Sequence, residues 1–353
     1  MDKVIHQKTR LLDTIGNNLS LAQNNSDLVR ARFIKKRDAK AITHDMMFKM
    51  FGLQNSPNLD DYRQAYRCGE YLHQNGKKVT TNHCKKRCCQ VCNRIRSKQM
   101  LDDYLPSLIN LGELWFVTLT NVNVNREELS NEVLFMKDAF TKIKNNIRKN
   151  YKEHSCNGFR SMECTYSLTK AFNPHIHLVV DSYGAAKEFV RQWLNHFKDA
   201  SKDGQNITKM YNDHKGLVEL FKYVAKPITN GYYNPKSYDA IISAFKGVRA
   251  YQSFGSKVKK NPIKDAADDI DDTKIKAQHV KWKGERIEVW KWLDEVYDWI
   301  APDGELFLDE KRSRKLNNTL NVINKSKVIK DERIDTHAMF QRVRPRGSDK
   351  ILF

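Results

Sequence analysis

The chain has 353 residues, enough for one large core with smaller appendages, and carries 62 Lys+Arg against 42 Asp+Glu, a formal net charge of +20. Such an excess points to a polyanionic partner. A membrane partner is not indicated, because no apolar run approaches the roughly 20 residues of a span, and the polar start, Met1 to Arg10, lacks the apolar stretch of an export signal. Residues 1–66 read as an N-terminal helical region, with an amphipathic stretch from Leu28 to Phe51. Residues 67–100 are a Cys-rich segment holding five of the seven cysteines, and Tyr71 to Met100 has eight basic residues and no acid. Residues 101–260 alternate strands and helices. Leu114 to Thr120 is β-branched and aromatic, a strand pattern. Leu129, Val133, Met136, Phe140, Ile143 and Ile147 recur at helical spacing within Glu127–Tyr151. Phe159–Leu168 and His175–Val180 read as two strands parted by a turn near Asn173-Pro174, followed by helices at Ala185–Phe197 and Leu217–Ala225. This order predicts an α+β fold, a central antiparallel sheet with helices packed on one face. Six basic residues in Lys246–Lys264 give way to five aspartates in Asp265–Asp272, which marks a domain edge. Residues 261–353 are expected to be a C-terminal helical region, with Trp282, Trp290, Trp292 and Trp299 in a helical segment.

The run Pro174-His175-Ile176-His177-Leu178 holds the most informative chemistry. On a strand, side chains two apart share a face. His175 and His177 can then offer two imidazoles to one cation while Ile176 and Leu178 enter the core. An antiparallel neighbour built from Ser161 to Tyr166 brings Glu163 alongside. Two histidines and a carboxylate suit a divalent ion that must also touch a phosphate oxygen. A His-x-His on a strand is, taken alone, more often just a polar face. What raises its weight is Tyr223 downstream. In a helix, Glu219 lies one turn before Tyr223, and Lys226 lies three residues after it on the same face. A phenol with a pKa of about 10 is a poor nucleophile until a neighbouring cation and a polarised phosphate assist it.

Seven cysteines without an export signal argue for a reducing, cytoplasmic setting and for metal ligation rather than disulfides. Cys89-x2-Cys92 is a knuckle that Cys84 and Cys68 can complete as a four-cysteine zinc site, with Cys88 and His83 as competitors. Cys156 and Cys164 read as ordinary core or surface residues.

From Cys68 to about Gly255 the chain resembles the plasmid rolling-circle replication initiators of the HUH endonuclease superfamily. The shared parts come in the same order: Arg87-Cys88-Cys89-Gln90-Val91-Cys92-Asn93, Phe116-Val117-Thr118-Leu119-Thr120, His175-Ile176-His177, Glu219 to Lys226, and Gly247 to Gly255. The resemblance implies an HUH/Rep-type, ferredoxin- or RRM-like catalytic sheet. It implies a 5′-phosphotyrosine intermediate on Tyr223, Mg2+ or Mn2+ on His175, His177 and Glu163, and Glu219 activating water in the one-tyrosine branch. It also favours Cys89 and Cys92 over Cys88. Partners would be plasmid origin DNA, as a single-stranded nick site with flanking duplex, and a host helicase and polymerase. No Gly-x4-Gly-Lys-Ser/Thr loop is present to drive unwinding. The rival readings are a transposase or relaxase of the same superfamily and a non-catalytic zinc-dependent DNA-binding regulator. Relaxases place the tyrosine before the histidines, whereas Tyr223 follows them. Tyr232, Tyr233 and Tyr238 stay open as second nucleophiles.

Overall fold

The computed structural model describes residues 25–75, 78–167, 171–210, 217, 220–221, 226–228, 231–260 and 288–326. Two helices open it, α1 (Asn25–Met50) and α2 (Leu59–Tyr66). A short hairpin follows, β1 (Tyr71–Asn75) and β2 (Lys78–Thr81), then the long helix α3 (Gln90–Ile109). The central region runs β3 (Leu114–Thr120), α4 (Leu129–Asn150), β4 (Gly158–Tyr166), β5 (Phe172–Val180), α5 (Tyr183–His196) and β6 (Asn206–Met210). After the gap come α6 (Pro235–Ala244), β7 (Tyr251–Phe254), β8 (Glu288–Leu293), β9 (Asp298–Ile300) and α7 (Arg314–Lys325).

The fold is α+β with two antiparallel sheets. The five-stranded sheet has the order β6-β3-β5-β4-β7, which puts the histidine-bearing β5 in the middle. Its strands alternate cleanly. Val117, Leu119, Met162, Ile176, Leu178 and Val180 point to one face, where they join the apolar stripe of α4 and Phe189 and Trp193 of α5 in the main core. The helix pattern read from Leu129 to Ile147 is thus the buried side of α4. Helices are not confined to that face. Leu105 and Leu108 of α3, with Leu217, Leu220 and Phe221, cover Phe159 and Val179 at one end of the opposite face. The rest of that face carries the polar row Thr118, Glu163, His175 and His177. Gly158 permits the tight β4–β5 pairing, since a Cβ there would run into the Val179 carbonyl oxygen.

Two expectations are corrected here. Asn173-Pro174 is part of β5 rather than a turn, and the chain reverses between Tyr166 and Phe172 instead. Proline is tolerated because β3 stops pairing at Thr120↔His175, so Pro174 lies past its last partner. The tryptophans Trp290, Trp292 and Trp299 lie on β8 and β9, not on a helix. Trp282 and residues 261–287 fall outside the described residues, as do 1–24. The second sheet, β2-β1-β8-β9, joins the C-terminal strands to the hairpin of the Cys-rich segment. Its core sets Trp292 edge to face against Trp299 at 4.9 Å, and it draws in Leu72, Val79, Leu316 and Leu320. Helix α1 supplies Phe33 and Ala41 to this core and Met46, Met47 and Met50 to the main one, so it bridges both.

Candidate active site

The β4–β5 register pairs Glu163 with His175 and Ser161 with His177, as the antiparallel reading required. Three side chains then converge on one carboxylate oxygen. Glu163 Oε1 lies 2.7 Å from His175 Nε2, 3.1 Å from His177 Nε2 and 3.2 Å from the Lys226 ammonium. The rings of His175 and His177 meet edge to face at 4.8 Å. Both imidazoles and the carboxylate are largely shielded from solvent.

Each histidine is held from behind. His175 Nδ1 donates to the Asn173 carbonyl at 2.9 Å, and His177 Nδ1 meets the Thr118 hydroxyl at 3.1 Å. A carbonyl can only accept, so in a neutral His175 the proton sits on Nδ1 and the Nε2 lone pair faces Glu163. Two lone-pair donors at that distance need a cation between them, a proton or a metal ion. Burial pushes the Glu163 carboxyl up, but hydrogen bonds from His175 and His177 outweigh it and hold the group well below the usual carboxylate range. Glu163, His175 and His177 offer ligand atoms within 4.8 Å of one another, a set of two imidazoles and a carboxylate that fits a divalent ion. Thr118 and Asn173 were not foreseen. The strand parity that joins His175 and His177 also places Thr118, opposite His177, on their face.

Lys226 sits in irregular chain rather than on a helix, with its ammonium on Glu163. Glu219 and Tyr223 lie outside the described residues. The residues flanking them lie on the histidine face, since Phe221 packs on Phe159 at 4.9 Å and Lys226 reaches Glu163. Of the other tyrosines, Tyr233 and Tyr238 are 1% and 0% exposed, and burial pushes both phenols well up. Their hydroxyls go to the carbonyls of Met46 and Cys88. Neither can reach DNA. Tyr232 stays exposed, and its hydroxyl accepts from Asn234.

The cysteine site assembles at the junction of three elements. Cys68 follows α2, Cys84 follows β2, Cys89 caps α3 and Cys92 lies in its first turn. Their sulfurs lie within 4.8 Å of one another, with Cys92 3.6 Å from both Cys68 and Cys84. Tetrahedral zinc with bonds of about 2.3 Å would hold sulfurs about 3.8 Å apart, so the set fits. Backbone N–H groups of Cys84, Lys85, Lys86 and Cys92 point at the sulfurs from 3.2–3.5 Å, as thiolates require. Lys85 takes a positive φ of 58° to turn its N–H inward. Hydrogen bonds from Cys68, Cys84 and Cys89 depress the Cys92 thiol strongly. Cys88 turns away to the Asp61 carbonyl at 3.8 Å, and His83 is not in the cluster.

With this geometry in place, comparison with known proteins is decisive. The family described as Replication protein, Rep_1, matches residues 75–299, well over half of the chain. The chain belongs to this family of replication proteins. The match spans β2, α3, the whole five-stranded sheet and β8, and begins at the last residue of β1. A relative from Staphylococcus aureus named "Protein rep" is 28% identical over 170 residues, which cover 42% of this chain and 72% of the relative. No solved structure matches. The resemblance read from the motifs is borne out as a plasmid replication initiator of the Rep type. Among the described residues of this replication protein, no helix is long and apolar enough to cross a membrane.

Proposed function

We propose that this replication protein nicks one strand of its plasmid origin through Tyr223 and remains attached to the new 5′ end. The observation that carries the reading is the convergence of His175 Nε2, His177 Nε2 and the Lys226 ammonium on Glu163 Oε1, on the face flanked by Phe221. His175, His177 and Glu163 would hold Mg2+ or Mn2+, which when bound draws electron density from a phosphate oxygen. The Tyr223 oxygen attacks phosphorus, a P–O bond to tyrosine forms, and the bond to the 3′ oxygen breaks. The phenol gives up its proton to water and the leaving oxygen takes one from water, which makes it a free 3′-hydroxyl that a host polymerase can extend. Lys226 adds positive charge beside the phosphate, where negative charge accumulates. Glu219 takes a proton from the water that later releases the product. The four-cysteine set would carry structural zinc. The nick site must be single-stranded, and unwinding falls to a host helicase in the cytoplasm.

The test is a labelled single-stranded origin oligonucleotide with Mn2+, run on a denaturing gel beside Tyr223→Phe. The expected result is a metal-dependent covalent band that the variant loses. A band that survives in the variant moves the nucleophile to another tyrosine, with the exposed Tyr232 first in line. Tight binding with no cleavage on either origin strand overturns the reading in favour of a non-catalytic regulator.

A further inference from the structure

On the sheet face opposite the histidines, Arg160 of β4 is 1% exposed, a burial at which arginine ordinarily meets a carboxylate. Here it does not. Its Nη2 donates to the Arg249 carbonyl at 3.2 Å and to Gln252 Oε1 at 3.1 Å, and its guanidinium lies 5.1 Å from the Phe140 ring. Nε and Nη1 have no hydrogen-bond partner among the described residues. Around it stand more cations. Phe140, Lys144 and Arg148 follow one another at four-residue steps along α4, so they form one stripe. Arg249 comes from the loop between α6 and β7, which Arg87 fastens by donating to the carbonyls of Phe245 and Val248. None of Lys144, Arg148, Arg160 and Arg249 forms an ion pair with a described carboxylate.

We propose that Lys144, Arg148 and Arg249, backed by the buried Arg160, form a second DNA site that grips the phosphate backbone of duplex flanking the nick. The inference rests on the proposed function for its choice of DNA. Like charges gathered without acids destabilise the fold, and an anion from outside removes that cost. Mutual repulsion is felt by the groups themselves. Burial first, and then the charge of Arg249, lowers Arg160 to about 10. Burial, Arg148 and Arg160 lower Lys144. The aromatic ring of this cluster, Phe140, is buried beneath Arg160 and offers no stacking platform, so the patch reads phosphate rather than unstacked bases. Its place away from the histidine face leaves the single-stranded nick site free.

The experiment measures the salt dependence of binding to a labelled duplex carrying origin-flanking sequence, without added divalent ion. The full chain is compared with Lys144→Gln/Arg148→Gln/Arg249→Gln. Each lost phosphate contact removes about 0.9 from the slope of log K against log salt. The triple variant should therefore lose about 2–3 units, and Arg148→Gln alone about 0.9. Its Tm should equal or exceed that of the parent, because repulsion is relieved. An unchanged slope overturns the site, and so does an equal loss in the charge-matched control Lys311→Gln/Lys315→Gln/Lys325→Gln. A slope change seen only on single-stranded DNA overturns the duplex assignment. Since nothing is cut in this assay, its failure is separate from a failure of the nicking reading.

Discussion

The site is built from pairs of atoms, and each pair can be broken singly. Thr118 holds His177 through its ring Nδ1, the place an outer partner would take if His177 binds the proposed metal ion. Thr118→Val keeps the shape of the side chain and removes the hydroxyl. It should cost about 10–100-fold in metal affinity or activity, read as a rightward shift of the Mn2+ titration of nicking. An unshifted titration would remove Thr118 from the site. Glu163 gives a pH prediction whose sign follows from its depressed carboxyl. A group that ionises more easily when folded adds stability above the ordinary carboxylate value of about 4.3 and loses it as pH falls through its folded value. Thermal unfolding from pH 7 to 3 should thus be steeper for the parent than for Glu163→Gln. Parallel curves would show that the carboxylate adds nothing to stability.

Between elements, one buried histidine joins the N-terminal helix to the C-terminal strands. His44 of α1 shares Nε2 with Asp294 at 3.0 Å and Tyr66 Oη at 2.8 Å, and its Nδ1 meets Asp45 at 3.1 Å. Tyr297 and Asn324 donate to the same Asp45. Burial lowers the imidazole's pKa, yet hydrogen bonds to Asp294 and Asp45 win and raise it. The protonated form is therefore favoured by folding, and its contribution is complete below the ordinary histidine value of about 6.5 and fades as pH rises through the raised one. Stability should decline from pH 6.5 to 9 more in the parent than in His44→Gln, followed by Tm. The same junction depends on Trp299, fully buried, whose indole N–H reaches the Gly69 carbonyl at 2.9 Å. Trp299→Ala should cost about 3–5 kcal/mol in a denaturant titration.

Across the molecule, the cysteine site ties α2, the β1–β2 hairpin and α3 together, and α3 leads straight into β3 of the five-stranded sheet. Metal analysis should find one zinc per chain. Its removal should lower Tm and weaken nicking together, because the sheet loses its brace. Cys89→Ser should lose the zinc, whereas Cys88→Ser should keep it, since Cys88 turns to the Asp61 carbonyl. Zinc retained by Cys89→Ser would demand a different ligand set.

The residues alone determined the central sheet and the sharing of a face by His175 and His177, because each rests on short-range periodicity. The α4 stripe and the β3 boundaries were legible for the same reason. Spacing offered Cys68, Cys84, Cys89 and Cys92 with Cys88 and His83 as competitors, and only the turn of Cys88 toward Asp61 separated them. The C-terminal strands were equally local, since Trp290-Lys291-Trp292 alternates with period two, but four tryptophans close together hid that pattern. Glu163 stood between the two cases, as its place beside His175 needed a register that chain order only suggested. Tertiary structure alone decided the rest. Lys226 on Glu163, Thr118 behind His177, the burial of Tyr233 and Tyr238, and Arg160 among other cations all join residues 59 or more apart or depend on what packs above them. Contacts of that kind are set by strand order and by which face a helix covers, and neither leaves a periodic trace in the chain.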